Sequence, residues 1–412
     1  MPIYPAKAVR SAILRSQALS GGEEENLRPN RESIIKVVNK IKALQIDTLQ
    51  MVNRSHYIAV WSRLGNYETK LLDDLCYGFG NQLCEYWYHA ACIISLEEYK
   101  YRAPTMIRHR EMESTRWSKY KSDIDFHEIV RAVKNRLSRE GPLKTSDFDN
   151  PTGSRGPWWD WKPAKRALEY LYDSGQAFVT DRRNFQKVYE LTNDHVERER
   201  SKCLISFGDS VIHDLEMALI AMGVCTVKQV GDYTHMKKTA AIPYVQKLIE
   251  DRKACEIKAT NSLGEPVQMV VHRSNLNLLE RAREGEIEPT RTTFLSPFDS
   301  LFWAKGRDKE FFSFTQTLEC YKPKNMRKWG YFCLPVLHKD RLVGRFDPKL
   351  DRRSRTLHIR AFHLEPGVNP EEELVSGTAN AMKDFLSFHQ AEGITFSNRG
   401  NKEFITKLQK SM

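Results

Sequence analysis

No run of about 18 consecutive apolar residues occurs in this chain, so no segment reads as a membrane-spanning helix. Even the greasiest stretch, Leu215 to Cys225, is interrupted by Glu216. The opening residues, Met1 to Arg10, include Pro2, Pro5, Lys7 and Arg10 and lack the apolar centre of a secretory signal. Eight cysteines are present, yet none form a Cys-x-x-Cys pair, which argues against a zinc cluster and against a secreted disulfide framework. Cys76, Cys84 and Cys92 are evenly spaced among aromatic and aliphatic neighbours and read as small buried hydrophobes. Together these absences predict a protein of the reducing cytosol with no membrane contact. Negative charge is also in short supply, 53 Asp and Glu against 64 Lys and Arg, a net charge of +11. Such an excess favours a polyanion (DNA, RNA or an anionic surface), although an ordinary basic enzyme carries it as well.

What is present is a globular composition, 41% apolar and 28% charged over 412 residues, enough for roughly two to four domains. Within it one pattern occurs twice, from about Asp125 to Leu191 and from about Asp209 to Val271. Each copy reads as an apolar helix, a short second helix, a third helix rich in Ala and Leu, and two short strands. In the first copy Asp123 or Asp125 caps a helix with Phe126, Ile129, Val130, Val133 and Leu137 on one face, stopped by Gly141-Pro142. Pro163 suits the first turn of its third helix, and Arg182-Arg183-Asn184 turns its hairpin. In the second copy the third helix is expected over Ala241 to Asp251, with Pro243 in its first turn, and the strands flank Gly264. Three helices with a two-stranded wing are the winged-helix variant of the helix-turn-helix, which holds a helix against DNA. Cationic wing tips, Arg182 and Arg183 in the first copy, suit phosphate contacts, with a solvated turn as the weaker alternative.

The expected fold class is α+β: tandem winged-helix units followed by a β-rich module. Residues 1–120 read as a mostly helical first unit, with another, less regular helix-turn-helix as an option. The winged helices take 121–200 and 201–285. Residues 286–412 change texture to aromatic and β-branched runs broken by turns, with a closing helix over Glu371 to His389.

Chemistry is most concentrated at Leu44-Gln45-Ile46-Asp47-Thr48. Leu44 to Val52 reads as extended, and residues two apart in an extended segment share a face. Gln45 and Asp47 then point together while Ile46 enters the core. A carboxylate beside an amide can hold and polarise one water, and can stabilise an oxocarbenium-like cation during glycosidic cleavage. By spacing alone a solvated surface strand is the commoner reading of such a pair. A second concentration is the stretch 341–360, with seven Lys or Arg (341, 345, 349, 352, 353, 355 and 360) against Asp347 and Asp351. Lys349, Arg352 and Arg353 fall in an expected hairpin tip, with Arg341 and Arg345 on the strand before it, an arrangement suited to clamping phosphates or entering a groove. His56 and His89 fit a hydrogen-bonded core better than a cleft lining by burial habits alone. Trp158, Trp159 and Trp161 fit helix packing better than base stacking. Asp299 reads as a turn or capping residue.

The segments LQIDTLQMVNRSHYIAVWSRLG (44–65), EYWYHAAC (85–92), SPFDSLFW (296–303), LECYKP (318–323) and GYFCLPVLHKDRLVGRFDPKLDRR (330–353) together resemble the YcaQ and AlkZ family of bacterial DNA glycosylases. The likeness runs from about residue 5 to 395. It implies tandem winged helices in a C-shaped body around double-stranded DNA. It further implies hydrolysis of the N-glycosidic bond of N7-alkylated purines and unhooking of interstrand crosslinks, with no metal or organic cofactor. The family signature is Gln, an apolar residue, then Gln or Asp, which Gln45-Ile46-Asp47 matches in its Asp form. On that basis Asp47 activates water and stabilises the cation, Gln45 orients the water, and His56 and His89 line the cleft. The chain is expected to act as a monomer. Two rivals remain at this stage: a non-enzymatic winged-helix regulator, and a nuclease needing a carboxylate cluster for Mg²⁺.

Overall fold

A computed structural model describes residues 3–22, 28–78, 80–148, 163–201 and 205–412. The chain groups into two compact units, each assembled from separated stretches: Met1–Leu72, Trp87–Ile93 and Asp214–Met412 in one, Asp73–Tyr86 and Ile94–His213 in the other. The elements are mixed α and β throughout. Trp158, Trp159 and Trp161 lie outside the described residues.

The second unit holds the helix Ile124–Glu140. It starts where Asp123 accepts a hydrogen bond from the Phe126 N–H at 2.9 Å and stops at Gly141, whose φ of 81° suits glycine. A strand Leu143–Lys144, a short 3₁₀ turn Thr145–Asp147, the helix Pro163–Asp173 and a hairpin of Ala177–Arg183 with Gln186–Leu191 follow. Leu143 and Lys144 pair with Tyr189 and Val188 on the returning strand. Trp117, Phe126, Tyr170 and Met112 form a core cluster here, and Trp117 donates its indole N–H to buried Asp173 at 2.9 Å. The hairpin turn falls on Asn184 and Phe185 rather than on 182–184. Both have positive φ, 50° and 64°, the backbone of a two-residue turn that follows strand twist.

Further along the chain the succession recurs: helix Phe207–Met222 leads to strand Val224–Cys225, helices Val227–Tyr233 and Lys238–Glu250, and a hairpin of Ala254–Thr260 with Pro266–His272. The short strand again pairs with the returning hairpin strand, Cys225 with Val270 and Val224 with Val271. The third helix begins at Lys238, so Pro243 sits inside it. The strand Ile3–Tyr4 adds in parallel to Ala254–Thr260, which draws the N-terminal helix Ala6–Ser16 onto the core of Val9, Ile13, Leu14, Val271, Leu295 and Phe311.

Residues 31–95 carry the same order a third time: helix Arg31–Ile41, strand Leu44–Gln45, helices Ser55–Leu64 and Thr69–Tyr77, strands Leu83–Trp87 and Ala91–Ser95. All three sheets have the same strand order, with the short first strand beside the last. Beyond residue 290 a five-stranded sheet runs in sequence order, Thr292–Phe294, Leu334–His338, Arg341–Asp351, Thr356–Leu364 and Gly393–Phe396. Helix Glu372–Phe388 covers it, Phe385 lying edge-on to Phe294 and Phe346. Among the described residues no helix is long and apolar enough to cross a membrane.

Candidate active site

The site is built by a helix that stops abruptly. A capping box between Asn30 and Ser33 starts helix Arg31–Ile41, and Lys42 ends it in the left-handed region at φ 69°. The chain emerges as the strand Leu44–Gln45, paired to Ile93 and Cys92, with the Ile46 N–H donating to Ala91 O at 2.8 Å. The extended segment is shorter than the sequence suggests. Asp47 leaves the strand because its Oδ1 accepts the Leu49 N–H at 2.8 Å, a local turn that replaces ladder bonds. Ile46 is buried as expected, while Gln45 and Asp47 are both half-buried.

Gln45 is oriented by a residue 258 positions away. The indole N–H of Trp303 is shared between Gln45 Oε1 and Phe298 O, both at 3.1 Å. Indole only donates, so the amide oxygen must face it and the amide NH₂ is the end left to act on a ligand. Trp303 also lies flat on His89, ring centroids 4.5 Å apart at 2°. His89 is itself fixed by a 3.0 Å hydrogen bond between Nδ1 and Asp232 O, and burial pushes its pKa down, favouring the neutral ring. His89 thus belongs to the packing behind Gln45. His56, on helix Ser55–Leu64, is 4% exposed and enclosed in the core, with no open face for a cleft.

Asp47 has one oxygen engaged by Leu49 and the other remaining for water. Burial raises its pKa, opposed by the Leu49 N–H and by the positive charge of Arg54. Arg54 spans the turn, donating to Thr48 O at 2.8 Å. Asp47 is thus a half-buried carboxylate of raised pKa two residues from an oriented amide donor, the two kinds of group that can hold a water and take its proton.

The basic hairpin meets this segment directly. The Leu350 N–H donates to Met51 O at 2.8 Å and Arg352 Nη2 donates to Val52 O. Arg352 and Arg353 are exposed at the tip, Lys349 is exposed on the strand leading to it, paired with His358 rather than in the turn the sequence suggested, and Arg341 is exposed at the start of that strand. Two cations singled out by the sequence are occupied elsewhere. Arg345 is 2% exposed, bonded to Glu365 at 2.7 Å and to Thr315 O at 2.9 Å, and lies over Phe314 and Trp329. Arg182 forms a two-pronged pair with buried Glu85 at 2.5 and 2.7 Å and stacks on Phe185. Neither guanidinium is presented to a phosphate, because both faces of the strand are buried from Leu342 to Pro348 around Arg345 and a buried carboxylate claimed Arg182. Arg183 stays on the surface beside Asp181.

The Asp299 reading holds: it accepts the Leu301 N–H at 3.0 Å at the start of the 3₁₀ turn Ser300–Phe302. It also forms a fully buried two-pronged pair with Arg63, at 2.7 and 3.0 Å. Trp303 is the functional position sequence reasoning passed over. Its only signal was membership of SPFDSLFW.

Set against known proteins, this architecture falls among the DNA glycosylases. The sequence description of the AlkZ-like DNA glycosylases matches residues 38–387, and the chain belongs to that family. The solved structure of the Streptomyces sahachiroi DNA glycosylase AlkZ is similar in fold, with a TM-score of 0.62 over 96% of this chain and 100% of that one, at 12% identity. Gln45, Asp47, Trp303 and the basic hairpin all lie within the matched span.

Proposed function

We propose that this glycosylase hydrolyses the N-glycosidic bond of N7-alkylated purines in double-stranded DNA, including those joined in interstrand crosslinks. The observation that carries the reading is the pairing of one carboxylate, Asp47, with one amide, Gln45, whose oxygen is tied to Trp303. N7 alkylation places a positive charge on the base. When C1′–N9 breaks, the electron pair passes to N9 and the base leaves neutral, so little protonation of the leaving group is needed. One carboxylate then suffices. The Gln45 NH₂ donates to the water oxygen, Asp47 accepts a water proton as the oxygen bonds C1′, and the carboxylate stabilises the cationic sugar on the way.

The three repeated helix-and-hairpin successions serve as winged-helix supports that grip the backbone. Lys349, Arg352, Arg353, Arg341 and Arg183 contact phosphates. The protein works as a monomer in the cytoplasm, on chromosomal DNA. The test is incubation with a duplex carrying N7-methylguanine in EDTA, followed by heating in alkali. Released base and alkali-labile abasic sites support the reading. Binding without release leaves a regulator, and strand cuts that EDTA abolishes leave a nuclease.

A further inference from the structure

The loop from Leu318 to Trp329 has a feature that the hydrolytic scheme does not use. Tyr321 and Met326 are 69% and 64% exposed, two of the few large apolar side chains on the described surface. Around them stand Lys322, Lys324, Arg327 and Lys328. The loop is nonetheless firmly braced. Buried Glu319 accepts the N–H groups of Lys328 at 3.0 Å, Trp329 at 2.7 Å and Gly330 at 3.2 Å. Arg327 Nε ties Glu319 O and Lys322 O, at 3.2 and 2.9 Å, while its guanidinium covers the Tyr331 ring. A braced loop that leaves most of an aromatic ring in water gains little for folding from that ring, since most of its apolar area stays solvated.

The place of the ring is informative. Tyr321 packs edge-on to Phe298, centroids 6.5 Å apart, and Phe298 O shares the Trp303 indole with Gln45. Burial and then the negative charge of Asp47 raise the pKa of both Tyr321 and Cys320, so the loop lies within the carboxylate's field. A ring with an open face, packed on the residue whose carbonyl shares the Trp303 indole with Gln45 and set among cations, has the makings of a base-stacking platform.

We propose that Tyr321 is the lesion-recognising residue, its ring stacking on the reacting purine beside Asp47. This rests on the glycosylase reading and names what selects its substrate. The face of an aromatic ring is electron-rich and attracts a cation, so a positively charged N7-alkylated purine is held better than neutral guanine. The exposed Lys324 and Lys328 hold the flanking phosphates while the braced backbone keeps the ring in place.

The experiment compares wild type with Tyr321→Phe, Tyr321→Leu and Tyr321→Ala. Single-turnover release of N7-methylguanine is measured, together with binding of damaged against undamaged duplex in an Asp47→Asn background. Because the ring is exposed, all variants should keep the wild-type melting temperature. Tyr321→Phe should keep excision within about twofold, and Tyr321→Ala should lose roughly tenfold to a hundredfold, as loss of one base-stacking ring does. Tyr321→Leu should fall with Ala, because apolar bulk without a π face does not attract a cation. The preference for damaged duplex should shrink in step while affinity for undamaged duplex holds. If wild type excises and Tyr321→Ala matches it in rate and preference, the role of Tyr321 is overturned alone. If wild type releases no base, the glycosylase reading beneath it fails instead.

Discussion

Asp47 sits where chemistry and stability pull in opposite directions. Its pKa is raised by burial, so ionising it costs the folded state. The stability this group contributes is fullest below its unfolded pKa and is lost as pH rises through the folded one. Asp47→Asn should therefore fold at least as well as wild type at neutral pH, since the Asn oxygen can still accept the Leu49 N–H. It should bind DNA normally yet lose most excision, roughly a hundredfold or more for a general base; single-turnover release and duplex affinity measured together check both halves. The pH–rate profile follows from the same shift. The base must be ionised, so the rate should fall with acid starting above the ordinary carboxylate range. Arg54 favours the carboxylate, and Arg54→Gln should move that limb to still higher pH. Trp303→Phe keeps the stacked ring on His89 but removes the donor to Gln45. A neutral hydrogen bond contributes about 1 kcal/mol, so the rate should drop roughly fivefold with little change in duplex affinity. Gln45 and Asp47 were legible because they adjoin in sequence. Trp303 was not, because only the tertiary fold brings its indole to Gln45.

At the scale of elements, the helices and hairpins of residues 124–191 and 207–272 were legible from apolar periodicity and from stops such as Gly141. The third succession, residues 31–95, was legible only as an option for a less regular helix-turn-helix. Its strand Leu44–Gln45 is two residues long, too short for an alternating pattern, and its hairpin strand Leu83–Trp87 is buried almost throughout, which erases the polar face. Charge was legible in total but not residue by residue: 341, 345 and 349 all read as cationic, yet Arg345 faces the core. This separates two effects within one hairpin. Lys349→Ala with Arg353→Ala should leave the melting temperature unchanged and reduce the slope of log affinity against log salt by about 0.9 per lost phosphate contact. Arg345→Ala should instead lower stability, because Glu365 and Thr315 O lose their donor. An unchanged slope in the double variant would remove the hairpin from the DNA interface.

Across the whole molecule, the site depends on stretches far apart in sequence held within one unit. The buried Arg63 shows how. From helix Ser55–Leu64 it donates to Gln17 O at 2.8 Å, to Ala59 O at 2.9 Å and to both oxygens of Asp299, so three stretches meet at one guanidinium. Asp299 in turn caps the turn that delivers Trp303 to Gln45. A buried pair like this adds little over a well-packed apolar pair, but breaking it leaves a charge with no counter-ion. Asp299→Ala should cost about 3–5 kcal/mol in urea unfolding, at unchanged slope. Replacing both partners with apolar residues, Arg63→Met with Asp299→Leu, should recover part of that loss, since neither charge then remains buried. The two Asp299 variants differ at the active site as well. Asp299→Asn keeps an oxygen for the Leu301 N–H, so its folded fraction should excise at close to the wild-type rate. Asp299→Ala releases the turn before Trp303 and should slow excision even at temperatures where the protein is fully folded. Equal rates per folded molecule in the two variants would show that the pair supports the fold without positioning Gln45.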